Sequence, residues 1–98
     1  MQPLLDSAHL VPRLATYARL AVDPLTKQPV LLYPEGIREL DETAAAILQQ
    51  CDGKSLRAIA SQLAMEYEAP IGQIEKDAYE FLKTLASAGL IVLKQEKP

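Results

Sequence analysis

Residues 30–40 read VLLYPEGIREL, and this stretch decides the fold. Val30, Leu31, Leu32 and Tyr33 form a continuous apolar run of strand length. Pro34, Glu35 and Gly36 break it with turn chemistry, since proline pre-sets φ for a turn and glycine is free to take a positive φ. Ile37, Arg38, Glu39 and Leu40 resume as a second, very short strand, which closes a tight hairpin. Directly after Leu40 the apolar period changes from two to about 3.6, the mark of a helix. A strand that runs straight into a helix has little length with which to stabilise a sheet, so its purpose is the open question.

Upstream, residues 16–22, TYARLAV, alternate with Tyr17, Arg19 and Ala21 on one side and Ala18, Leu20 and Val22 on the other. The turn-forming cluster DPLTKQP at 23–29 joins this strand to the hairpin. Three strands in this order predict an antiparallel meander. Residues 1–12, MQPLLDSAHLVP, carry two prolines and no period and read as an extended N-terminal arm. Leu4, Leu5, Leu10 and Val11 make the arm apolar enough to dock, and docking on a neighbouring chain would give a homodimer.

Downstream, Asp41 suits the N-cap of a first helix, whose face is Ala44, Ile47, Leu48 and Cys51. Asp52-Gly53 ends it, with Gly53 suited to a left-handed cap. Ser55 caps a second helix with the stripe Leu56, Ile59, Ala60, Leu63 and Tyr67. A break at Pro70 opens a third helix to about residue 88, with Ile71, Ile74, Ala78, Phe81, Leu82 and Leu85 inward. Gly89 stops it, and LIVL at 90–93 leaves as an extended, strand-like tail. The expected class is α+β, a winged helix-turn-helix-like arrangement with a three-stranded antiparallel meander followed by three helices. It divides into an arm at 1–12, one domain at 13–94 and a frayed tail at 95–98.

Ninety-eight residues suit one domain, and a hydrophobic fraction of 49% is enough to close one core. With four Tyr, one Phe and no Trp, that core must be aliphatic. A formal charge of −3 opposes a nucleic-acid coat, because phosphate contacts need clustered Lys and Arg. The candidate recognition helix, the third, carries Glu75, Asp77 and Glu80 against Lys76 and Lys83, the wrong balance for a surface that meets phosphates. One Cys and one His exclude an intramolecular disulfide and a four-ligand zinc site. No apolar run approaches the ~20 residues of a membrane span, and the N-terminus lacks a signal-peptide pattern, so a cytoplasmic location is expected.

The chain has no phosphate-cradling glycine loop and no nucleophile elbow. His9 stands alone in the arm, and Cys51 lies on an apolar helix face with no base beside it to lower its pKa. Helix capping accounts for Asp41. The expectation is a protein that is not an enzyme, with no cofactor and no metal. Ile37, Arg38, Glu39 and Leu40 form the end of the meander and so a sheet edge. Such an edge is either an ordinary strand protected by its charges or a rail to which an extended peptide adds by β-augmentation. The residues by themselves leave both open.

LLYPEG at 31–36, LDETAAAIL at 40–48 and CDG at 51–53, followed by DAYEFLKTLASAGLI at 77–91, carry a resemblance. In this order and spacing they resemble the pyrroloquinoline quinone biosynthesis protein D (PqqD) family over about residues 13–93. The resemblance implies a non-catalytic peptide chaperone built as a RiPP recognition element. It would bind a PqqA-like ribosomal precursor peptide and present it to a PqqE-like radical S-adenosylmethionine enzyme, which would own the iron–sulfur clusters. It also implies a site. The peptide would lie along Ile37, Arg38, Glu39 and Leu40, in the groove between this strand and the third helix. Gln73, Asp77 and Phe81 would form the wall, on a flank that continues to Thr84, and Ile74 and Ala78 the floor. The opposite flank, Glu75, Tyr79, Leu82 and Ala86, is the alternative wall. A DNA-binding winged helix and a structural subunit of a larger enzyme are the competing functions.

Overall fold

The computed structural model describes residues 9–95. Eight elements follow one another: β1 (Leu10–Leu14), β2 (Arg19–Val22), β3 (Pro29–Tyr33), β4 (Gly36–Glu39), α1 (Glu42–Gln49), α2 (Leu56–Tyr67), α3 (Ile71–Ser87) and β5 (Ile91–Gln95). The fold is α+β, and β2-β3-β4 form the expected antiparallel meander.

The hairpin register pairs Tyr33 with Gly36, Leu32 with Ile37, Leu31 with Arg38 and Val30 with Glu39. Gly36 does not use the positive φ open to it, and neither Pro34 nor Glu35 has one. The turn is therefore built on proline's preference for the second position of a type I turn. Gly36 already belongs to the ladder. Lys27 and Glu68 take left-handed φ values of 65° and 52°, at the β2–β3 loop and the α2 C-cap.

Capping follows the sequence closely. Asp41 Oδ1 accepts from the Ala44 amide at 2.7 Å, and Ser55 Oγ accepts from the Ala58 amide at 3.1 Å. Gly53 has φ +119°, a conformation open to glycine, although α1 already ends at Gln49 with Gln50 as its C-cap. Pro70 is the N-cap of α3 and lies outside its first turn.

The structure departs from the expectation at the arm and at Tyr67. Leu10, Val11 and Pro12 belong to β1, which pairs antiparallel with β5 from Leu10↔Gln95 to Leu14↔Ile91. This end of the expected arm docks on its own chain, and the strand-like tail after Gly89 is a strand that continues past Leu93 to Gln95. The two strands lie some 80 residues apart in the chain, and Arg13 of β1 also bridges Asp52, so no local turn signal marks their pairing. Residues 1–8 and 96–98 lie outside the described residues. The second correction is Tyr67, which is 42% exposed because the last turn of α2 extends past the core.

The core forms where the α3 stripe meets α2, α1 and the inner face of β3. Leu31, Leu48, Leu56, Ile59, Leu63, Leu82 and Leu85 are its largest fully buried aliphatic side chains. Burying each such side chain contributes about 1.5–3 kcal/mol. Pro12 is fully buried as well, which ties the β1–β5 ribbon to the domain. The ribbon is held further by the Tyr17 hydroxyl, which donates to the Gly89 carbonyl oxygen. No helix among the described residues is long and apolar enough to cross a membrane.

Candidate functional site: a groove between an open strand edge and the third helix

Among the described residues β4 is an edge of its sheet, with β3 on one side and no strand on the other. Its hydrogen-bonding phase follows from the register. Tyr33 and Gly36 close the two-residue turn, so the bonded pairs recur at Leu31↔Arg38, and the Leu40 amide donates to the Pro29 carbonyl oxygen at 3.1 Å. Gly36, Arg38 and Leu40 therefore turn their backbone groups inward to β3. Ile37 and Glu39 turn theirs outward, to the open edge. Side chains alternate the other way. Arg38 shares a face with the fully buried Leu31, toward the helices, whereas Ile37 pairs with Leu32 on the opposite face and is 62% exposed.

A groove of about 290 Å³ runs beside this edge. Arg38, Glu39 and Leu40 line one side, Ile74, Asp77, Ala78 and Phe81 of α3 line the other, and Asp41, Thr43, Ala44 and Ile47 close it from α1. Ala78, Ala44, Ile47 and Leu40 are buried and make an apolar floor, with Ile74 and Phe81 half-buried beside them. Asp77 is held by the side chain of Gln73, whose Nε2 donates to Oδ1 at 3.0 Å.

Seven of the nine residues expected at a peptide site thus line one groove: Arg38, Glu39, Leu40, Ile74, Asp77, Ala78 and Phe81. Ile37 and Gln73 do not line it. Ile37 contributes an outward-facing backbone, and Gln73 orients Asp77. The opposite flank of α3 is used for packing: Leu82 is fully buried, Glu75 Oε1 lies 3.6 Å from Arg57 Nη1 of α2, and Lys83 sits over the Tyr79 ring at 5.6 Å.

The α1 contribution of Asp41, Thr43, Ala44 and Ile47 was absent from the expected site. One signal pointed to it, because only two residues separate the end of β4 from the start of α1 and its first turn has to lie at the end of the edge. Cys51 is buried, its Sγ donates to the Ile47 carbonyl oxygen at 3.4 Å, and burial pushes its thiol up to about 12, with Asp52 adding to the shift. A thiol so held is protonated at neutral pH and is no nucleophile. No cluster of three or more potential metal ligands occurs among the described residues.

The family model of coenzyme PQQ synthesis protein D (PqqD) matches residues 29–91. A protein of Xanthomonas euvesicatoria pv. vesicatoria named PqqA binding protein is 42% identical over 86 residues, which covers 87% of this chain and 94% of that one. A Rhizobium meliloti protein of the same name is 34% identical over 94 residues, 95% of each chain. Among solved structures, the chain is similar to the solution NMR structure of the PqqD truncation of Methylobacterium extorquens PqqCD. That structure is described as a functional and stand-alone RiPP recognition element. The TM-score is 0.77 at 32% identity, covering 91% of this chain and 95% of that one.

Proposed function

The chain belongs to the PqqD family, and from that premise we propose that it binds the ribosomal precursor peptide of pyrroloquinoline quinone biosynthesis, PqqA, without catalysing a reaction on it. The observation that carries the reading is the phase of β4. Ile37 and Glu39 present unpaired N–H and C=O groups to a groove with an apolar floor, which is the geometry an added strand requires. Main-chain bonds to these two residues supply affinity. The pocket formed by Ile47, Ile74, Ala78 and Phe81 receives alternate side chains and supplies selectivity.

The peptide is then presented to a PqqE-like radical S-adenosylmethionine enzyme. Holding an otherwise disordered precursor extended costs ordering entropy, which the strand contacts offset. A carrier that touches both peptide and enzyme raises the effective concentration of one at the other. Exposed charges away from the groove, including Arg57, Glu66 and Lys83, are available for the second contact.

Titrating the ¹⁵N-labelled chain with a PqqA-type peptide tests the site. The amides of Ile37 and Glu39 and those of the Gln73–Asp77–Phe81 flank of α3 should shift, with α2 largely unmoved. Binding that leaves Ile37 and Glu39 still would assign the peptide elsewhere. For the second step, peptide cross-linking by the radical enzyme should slow when this chain is omitted.

A further inference from the structure

We infer that Arg38 sets the register of the guest strand by pairing with an acidic side chain directly opposite it; this rests on β4 being the guest's rail. The outward backbone groups of Ile37 and Glu39 bracket Arg38. A guest bonded to both has one residue opposite Arg38, whichever direction it runs. Neighbouring strands place opposite residues on the same face, so this guest side chain emerges into the groove beside the guanidinium. In the antiparallel case the two form a non-hydrogen-bonded pair, the closer kind, with Cα atoms about 4.5 Å apart.

Arg38 is free for such a partner. Its exposed side chain makes no ion pair or hydrogen bond among the described residues. Among the described residues it is the one cation of the groove lining, and on its face the charged side chains are Asp41 and Asp77, because Glu39 shares the opposite face with Ile37. Asp41 already caps α1, and Asp77 accepts from Gln73. A guest carboxylate therefore finds one favourable position in a lining that otherwise repels it. Slipping the guest by one residue turns its side chains to the other face. Slipping it by two moves the carboxylate opposite Leu40, next to Asp41, or opposite Gly36, which has no side chain to pair with it. A guanidinium beside the Asp41 and Asp77 carboxylates thus selects one frame, which backbone bonds alone cannot do because they are identical at every second residue.

The test uses a synthetic PqqA-type peptide and its variants in which each Asp or Glu is singly replaced by Lys. These are titrated at low salt against the unsubstituted chain, Arg38→Glu and Ile37→Pro. At one peptide position, Lys should weaken binding to the unsubstituted chain about five- to tenfold, and Arg38→Glu should restore it. The proposal is overturned if no Lys peptide binds Arg38→Glu better than it binds the unsubstituted chain while Ile37→Pro still weakens binding of the parent peptide. If Ile37→Pro binds the parent peptide undiminished, the rail reading fails, and the register inference with it. Arg38 is exposed, so Arg38→Glu should keep the circular dichroism of the parent chain.

Discussion

The amide of Leu40 donates to the carbonyl oxygen of Pro29 across 3.1 Å, and this bond sets which residues of β4 face inward. Together with the Tyr33↔Gly36 closure it leaves Ile37 and Glu39 with their donors and acceptors turned to the open edge. The consequence is a separation of tasks along four residues, with backbone offered at alternate positions and side chains at those between.

Ile37→Pro removes an outward N–H and no ladder bond, a substitution that edge strands tolerate. Thermal unfolding should change little, within about 1 kcal/mol of the parent stability. Peptide affinity should fall at least about tenfold, the loss of a hydrogen bond plus the clash of the proline ring with the guest. Isothermal titration beside a thermal melt reads both quantities.

Phe81→Ala opens the groove wall, whereas Leu82→Ala opens the core one residue further on. Leu82 is fully buried, so its truncation should cost about 2–5 kcal/mol in urea unfolding. Phe81 is half-buried and should cost less than the about 3–5 kcal/mol of a core Phe, but it should weaken peptide binding about tenfold. Equal effects of the two variants on binding, measured in the folded fraction, would show that Phe81 acts through packing alone.

Gly89 has φ +81°, and a Cβ there would sit 3.3 Å from the Tyr17 hydroxyl oxygen. Gly89→Ala should therefore destabilise the chain by about 1–2 kcal/mol, the cost of a left-handed alanine, plus the crowding of Tyr17. Tyr17→Phe should cost about 1 kcal/mol through the lost bond to the Gly89 carbonyl. Because the two residues share one contact, the double variant should lose less than the sum, and a double-mutant cycle by denaturant unfolding measures the coupling.

Cys51 gives a pH dependence with a definite sign. The folded chain raises its thiol to about 12 from an ordinary 9.0, so the unfolded chain releases the proton first. The stability contributed by the protonated thiol is complete below pH 9 and declines as pH rises toward 12. The stability difference between the parent chain and Cys51→Ala should therefore shrink between pH 8 and pH 10.5. At pH 8, iodoacetamide should alkylate the native thiol far more slowly than the thiol in urea.

Much of the fold was legible because its signals are local. Asp41 and Ser55 mark helix starts by their own side-chain chemistry, the change of period after Leu40 marks the passage from strand to helix, and Pro34 marks the turn. The β1–β5 ribbon was not legible, because what makes Leu10–Leu14 a strand is a partner at the far end of the chain. Tyr67 fits the α2 stripe by period, but a period cannot say where the core ends.

The same division holds at the groove. By itself, the sequence determined that a short charged strand follows the hairpin and that α3 carries Ile74, Ala78 and Phe81 on one stripe with Asp77 beside it, because spacing along one element sets which side chains share a face. The resemblance of its motifs placed those two elements side by side. Only the tertiary structure decided that Glu75 turns toward Arg57 of α2 while Asp77 and Phe81 turn to β4, that the first turn of α1 closes the groove, and that Ile37 and Glu39 rather than Arg38 and Leu40 offer their backbone. Those outcomes depend on how elements dock and on the parity of a strand register, and parity is set by a bond between two chain segments rather than by either one.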